Sequence, residues 1–158
     1  MRLVLYQPDI AQNTGTILRL AACLDVAVDI VGPAGFDHSD RALRRAGMDY
    51  MERAMVTRHE SWENYKVSRT AAAKQTRLVL LTTRAHKTYQ EFRFDETDCI
   101  LLGRESAGVP DFVHVQCDAR VRVPMVAGMR SLNVAVAAAM VLGEALRQTD
   151  GFPAQTHL

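Results

Sequence analysis

Apolar runs of strand length alternate along this chain with segments of helical period, and this alternation restricts the fold more than any other feature. Strand-like runs lie at Arg2–Tyr6, Ala27–Val31, Ala54–Thr57, Arg77–Thr82, Asp98–Gly103 and Arg120–Val123. Most are apolar along their length rather than at alternate positions. That is how strands read when a parallel sheet is covered on both faces by crossover helices. Helical patterns fill the gaps. One runs from Thr14 to about Leu24 behind Asn13, with Ile17, Leu18, Leu20, Ala21 and Leu24 along one side. A second opens at Ser39 or Asp40 and stops near Gly47, a third runs from Ser61 to about Lys74, and a short turn follows Pro110. The last, Ser131 to about Gln148, is apolar nearly all round until Glu144, so it is buried against a sheet or a partner. The pattern predicts an α/β protein with a parallel sheet of five or six strands and helices on both faces.

Composition narrows the class. At 158 residues, 48% hydrophobic and 23% charged, the chain fits a single folded domain, residues 1–158. The longest apolar run, Val134–Gly143, is too short to span a bilayer, and the stretch after Arg2 is no signal peptide. A cytoplasmic location without a membrane partner is expected. Cys23, Cys99 and Cys117 are odd in number and lack C-x-x-C spacing, which argues against a disulfide framework or a zinc site. The five histidines show no ligand spacing, so no metal is expected. A net charge of 19 − 18 = +1 neither requires nor forbids a nucleic-acid partner. Arg41 and Arg45 share one helix face with Arg44 beside them, either a solvated surface or a phosphate rest.

Three distant stretches combine a turn or glycine-rich loop with polar groups: Asn13-Thr14-Gly15 with Arg19, Gly103–Gly108, and Arg130–Asn133. Each follows a strand-like run. In an open α/β sheet, ligands bind outside the carboxyl ends of the strands, so the three loops can line one crevice. Asn13 and Ser131 read equally as helix caps or as ligand contacts. Arg19, one turn beyond Gly15, reads as a surface cation or as a group at the crevice mouth. Glu105 can bond backbone amides or remain exposed, and Leu81 and Val123 can be plain core residues.

The run Leu5-Tyr6-Gln7-Pro8, Asn13-Thr14-Gly15, Arg19-Leu20, Gly35-Phe36 and Leu43–Tyr50 resembles the TrmL (YibK-like) tRNA 2′-O-methyltransferases of the SPOUT superfamily. The likeness continues through Leu81-Thr82-Thr83, Gly103–Gly108, Arg122–Met125 and Arg130–Asn133, and covers essentially the whole chain. Arg104 stands where a proline is expected, and Leu132–Val136 lacks a second asparagine common in TrmL members. The resemblance implies a SPOUT fold whose C-terminal segment forms a deep trefoil knot. It implies a homodimer with active sites built from both subunits, S-adenosylmethionine as methyl donor, and the wobble nucleotide of tRNA as substrate.

By the same resemblance, Leu81, Thr82, Gly103, Val123, Ser131 and Leu132 hold the donor, with Arg19, Asn13, Glu105 and Asn133 at the reaction centre. Arg41, Arg44, Arg45 and Arg130 are the expected RNA contacts. A guanidinium stays protonated, so Arg19 is expected to orient a phosphate and stabilise the developing alkoxide rather than act as a base. Two alternatives are a ribosomal-RNA 2′-O-methyltransferase and a non-catalytic RNA-binding protein of the same fold. A dinucleotide or P-loop enzyme is disfavoured, because neither G-x-G-x-x-G nor a Walker Gly-Lys-Ser/Thr occurs.

Overall fold

The computed structural model describes residues 1–37, 41–47, 50, 52–72 and 76–154. Its elements follow the chain as β1 (Arg2–Tyr6), α1 (Ala11–Cys23), β2 (Ala27–Val31), α2 (Arg41–Gly47), β3 (Val56–His59), α3 (Trp62–Ala71), β4 (Leu78–Leu81), β5 (Cys99–Leu102), α4 (Asp111–Gln116), β6 (Ala119–Val121) and α5 (Val134–Gln148). The six strands form one sheet in the order β3-β2-β1-β5-β4-β6, and every pairing is parallel.

Strand alternation divides the core between two faces. Leu3, Leu5, Val79, Ile100, Leu102 and Val121 meet α1 and α5 through Ile17, Leu18, Ala138, Val141 and Leu142. Val4, Tyr6, Leu78, Leu80, Cys99 and Leu101 meet α3 and α4 through Trp62, Tyr65, Val113 and Cys117. The apolar strand runs thus reflect burial on both sides.

Several boundaries differ from the sequence reading. Helix α1 begins at Ala11, and its N-cap, Ile10, makes no side-chain cap bond. Asn13 lies inside the first turn, where its amide is claimed by two other loops. Ser131 is not a cap either: α5 starts at Val134, and Asn133 accepts from the amides of Ala135 and Val136. Strand β3 is displaced from Ala54–Thr57 because the amides of Arg53 and Ala54 bond back to the Tyr50 carbonyl and pairing with β2 begins at Val56. Strand β6 stops at Val121, since Arg122 bonds instead to the Lys87–Tyr89 segment. Ser61 caps α3 as expected. The Ser39 or Asp40 helix start and Lys74 lie outside the described residues.

Gly15 belongs to packing rather than to a ligand loop. A Cβ there would sit 2.6 Å from the Leu43 carbonyl oxygen and 2.9 Å from the Gly47 nitrogen. Alanine in a helix is worth about 1 kcal/mol over glycine, but overlap with the backbone of α2 costs about 1–3 kcal/mol. Gly15→Ala is therefore expected to be net destabilising in urea unfolding; a more stable variant would refute this close crossing.

Candidate active site

Register positions the site. Leu5 lies opposite Leu102, Leu81 opposite Leu102, and Leu81 opposite Val121. One row therefore crosses four strands near their carboxyl ends, and the loops that follow emerge along the same edge. Strand order also reverses here, because β1 leads outward to β2 and β3 on one side while β5 and β4 lie on the other. Such a switch point leaves a crevice between diverging connections.

A cavity of about 560 Å³ opens at that edge. Its wall includes Leu81, Thr82, Gly103, Val123, Ser131 and Leu132, together with Asn13, Glu105, Asn133 and Arg130. Arg19, Arg41, Arg44 and Arg45 do not border it. Arg19 is exposed, with its guanidinium carbon 5.2 Å from the centroid of the Tyr50 ring. The three arginines of α2 are likewise exposed.

A chain of hydrogen bonds ties the three loops together, and its direction is set at one end. Asn133 Oδ1 accepts from the amides of Ala135 at 2.9 Å and Val136 at 3.3 Å. Its side-chain nitrogen therefore points the other way and donates to Asn13 Oδ1 at 2.9 Å. Asn13 Nδ2 in turn donates to Glu105 Oε1 at 3.1 Å. Glu105 Oε2 accepts from the Asp9 amide at 3.1 Å, and Asp9 Oδ1 accepts from the Glu105 amide at 3.1 Å. The Ser106 hydroxyl completes the set on Asp9 Oδ2. Bonding from the Glu105 side chain, then from Ser106 and the backbone, holds Asp9 down to about 2. Burial and the Asp9 carboxyl raise Glu105 above the usual carboxylate range.

Asp9 was absent from the sequence candidates. Its partner lies 96 residues away, and an acidic residue just before a helix ordinarily reads as a favourable dipole contact. His114 was also missed. It borders the cavity from a short helix whose pattern marks only Val113 as buried.

The glycines shape the loop between Arg104 and Gly108. Reciprocal backbone bonds of 3.0 and 2.8 Å join those two residues, and Gly108 holds φ +67°. Gly103 packs so closely on Gly108 that a Cβ would lie 2.6 Å from its carbonyl carbon. The result is a shelf of bare backbone in the cavity wall that Leu81 and Val123 also line. A shelf of this kind fits a purine nucleoside: an aromatic base needs apolar walls, and a ribose needs close backbone approach.

Comparison with known proteins agrees with this geometry. The SpoU rRNA Methylase family matches residues 1–143. A tRNA (cytidine(34)-2′-O)-methyltransferase of Ancylobacter novellus is 55% identical over 152 residues, 96% of this chain and 95% of that protein. The enzyme of the same name from Escherichia coli K12 is 36% identical over 155 residues, 97% of this chain and 96% of its own. A structure described as giving insights into 2-OH methylation of C/U34 on tRNA superposes with a TM-score of 0.86 at 37% identity, over 93% of this chain and 94% of that one. The SpoU methyltransferase AviRb from Streptomyces viridochromogenes, in complex with AdoMet, superposes at 0.84 with 28% identity, over 94% of this chain and 60% of that one. Sequence likeness across nearly the whole chain and a shared fold place this protein in the SpoU methylase family.

Proposed function

We propose that this chain methylates the ribose 2′-hydroxyl of the wobble nucleotide, cytidine or modified uridine, in the tRNA anticodon loop. The observation that carries this reading is the convergence of the three loops on one cavity, locked by the Asn133–Asn13–Glu105–Asp9 chain. When bound, S-adenosylmethionine supplies an electrophilic methyl group. Leu81, Gly103, Val123 and Ser131, with Thr82 and Leu132 adjoining, line the cavity and would hold the donor's adenine and ribose, Leu81 and Val123 against the faces of the base. Asn13, Glu105 and Asn133 hold the loops in register at the point where the nucleotide enters. Alignment of this sort is what a displacement reaction chiefly asks of the protein.

Arg19 lies outside the cavity wall of its own chain, so this reading makes the enzyme a homodimer in which Arg19 serves the other subunit's cavity. Val136 and Met140 on α5 are 51% and 39% exposed, and Val126 and Met129 are 79% and 66% exposed. They form apolar surface that a second subunit can cover. Arg41, Arg44, Arg45 and Arg130 then contact RNA phosphates. The chain acts as a single SPOUT domain in the cytoplasm, and no helix among the described residues is long and apolar enough to cross a membrane. The C-terminal segment forms the trefoil knot. In support, residues 87–89 bond Arg122 before α5, and residues 92–94 bond Gln148 at its far end, so the β4–β5 connection grips both sides of that segment.

Methyl transfer to purified tRNA, followed by nucleoside mass spectrometry, tests the assignment. The expected product is a 2′-O-methyl at the wobble ribose. Methylation confined to ribosomal RNA, or S-adenosylmethionine binding without transfer to any RNA, refutes it. In the same assay Arg19→Lys keeps the charge but loses the bidentate fork; turnover is expected to fall by roughly tenfold or more. Full turnover would exclude the orienting role of Arg19.

A further inference from the structure

Helix α4 carries a histidine whose hydrogen bonding is incomplete in a telling way. Arg120 Nε donates to His114 Nδ1 at 3.1 Å, and Arg120 Nη2 donates to the His114 carbonyl oxygen. A guanidinium has no acceptor, so Nδ1 must offer its lone pair, and the ring proton of the neutral imidazole is forced onto Nε2. Burial, followed by the charges of Arg84 and Arg120, lowers the histidine below its usual range, with Asp111 opposing them. The ring therefore stays neutral. Nε2–H is buried and has no partner among the described residues. An unmet buried donor is costly, so a ligand acceptor in this cavity gains by supplying what is missing.

His114 borders the same cavity as Leu80, Leu81, Val109 and Val123. These walls suit a neutral aromatic acceptor and would penalise a carboxylate. Arg84, a cation in the same wall, is 60% exposed and occupied by Asp111 at 3.0 Å.

Resting on the S-adenosylmethionine reading above, we propose that His114 Nε2–H donates to a ring nitrogen of the bound adenine, with Arg120 as the positioning residue that fixes the tautomer. Nε2 is itself buried, so the bond forms with a turn of the ring small enough to keep Nδ1 within reach of Arg120 Nε. The broad torsion between an sp³ carbon and an aromatic ring makes such a turn inexpensive.

Isothermal calorimetry with S-adenosylhomocysteine, and with three analogues that each replace one purine ring nitrogen by carbon, tests the assignment. Wild type is expected to bind the parent and to bind one analogue about tenfold more weakly, the worth of one dry hydrogen bond. His114→Leu should lose the same factor for the parent and show no further loss for that analogue. His114→Phe keeps a ring and serves as a second variant, with thermal melting confirming that both fold. Unchanged affinity in folded variants, or an analogue deficit of equal size in wild type and variant, overturns the proposal. Failure of wild type to bind the parent would instead overturn the methyltransferase reading itself.

Discussion

Gly103→Ala is expected to abolish most methyl transfer while leaving the protein folded. The added methyl would lie 2.6 Å from the Gly108 carbonyl carbon and 2.8 Å from its Cα. Neither atom belongs to a side chain that can swing aside. The loop cannot retreat as a unit either, because Arg104 and Gly108 are joined by two backbone bonds. The strain is relieved by displacing the 104–108 segment, which carries Glu105 and so disturbs the contact with Asn13. Overpacking of this kind costs about 1–3 kcal/mol, whereas displacement near 1 Å in a reaction site costs roughly a hundredfold in rate. Activity should therefore fall much further than stability, as read by methyl transfer and thermal melting on one sample. A variant with normal turnover would show that the Gly103 shelf is not part of the site.

Asn133 gives the second large effect, and two substitutions separate its two tasks. Asn133→Asp keeps an oxygen to cap α5, since aspartate caps as well as asparagine. It loses the nitrogen that donates to Asn13 Oδ1. If the Asn13 amide reverses to compensate, its oxygen meets Glu105 Oε1, so the conflict moves one link along. The expected cost is about 1–3 kcal/mol for the unmet group, with methyl transfer strongly reduced. Asn133→Ala loses the cap as well and should cost about a further 1 kcal/mol. Urea unfolding separates the variants; equal stability of Asn133→Asp and wild type would mean that the chain of bonds holds nothing together.

Much of the architecture was legible locally. Runs such as Arg2–Tyr6 and Ala27–Val31 coincide with β1 and β2, because strands buried on both faces are apolar at most positions; Asp29 in β2 is buried only with Arg2 and His59 as partners. Ser61 was recognisable as a cap because its partner, Asn64, is three residues away. Asn13 and Ser131 were not readable in this way. Both carry capping chemistry, yet one helix starts before Asn13 and the other after Ser131, where Asn133 takes the cap. The same side-chain groups suit a local amide or a distant one, and only the fold decides between them.

The sequence by itself determined the alternation of strands and helices and the two-sided burial of the sheet. These features depend on neighbours within a few residues, whose spacing is visible as a pattern. The tertiary structure alone decided that β5 lies between β1 and β4, that Asp9 answers Glu105, that Arg120 sets the proton of His114, and that Arg19 turns toward Tyr50. Strand order, and hydrogen bonds such as those joining Asp9 to Glu105 or Asn13 to Asn133 across about a hundred residues, leave no periodic trace. They are settled when the chain closes its sheet.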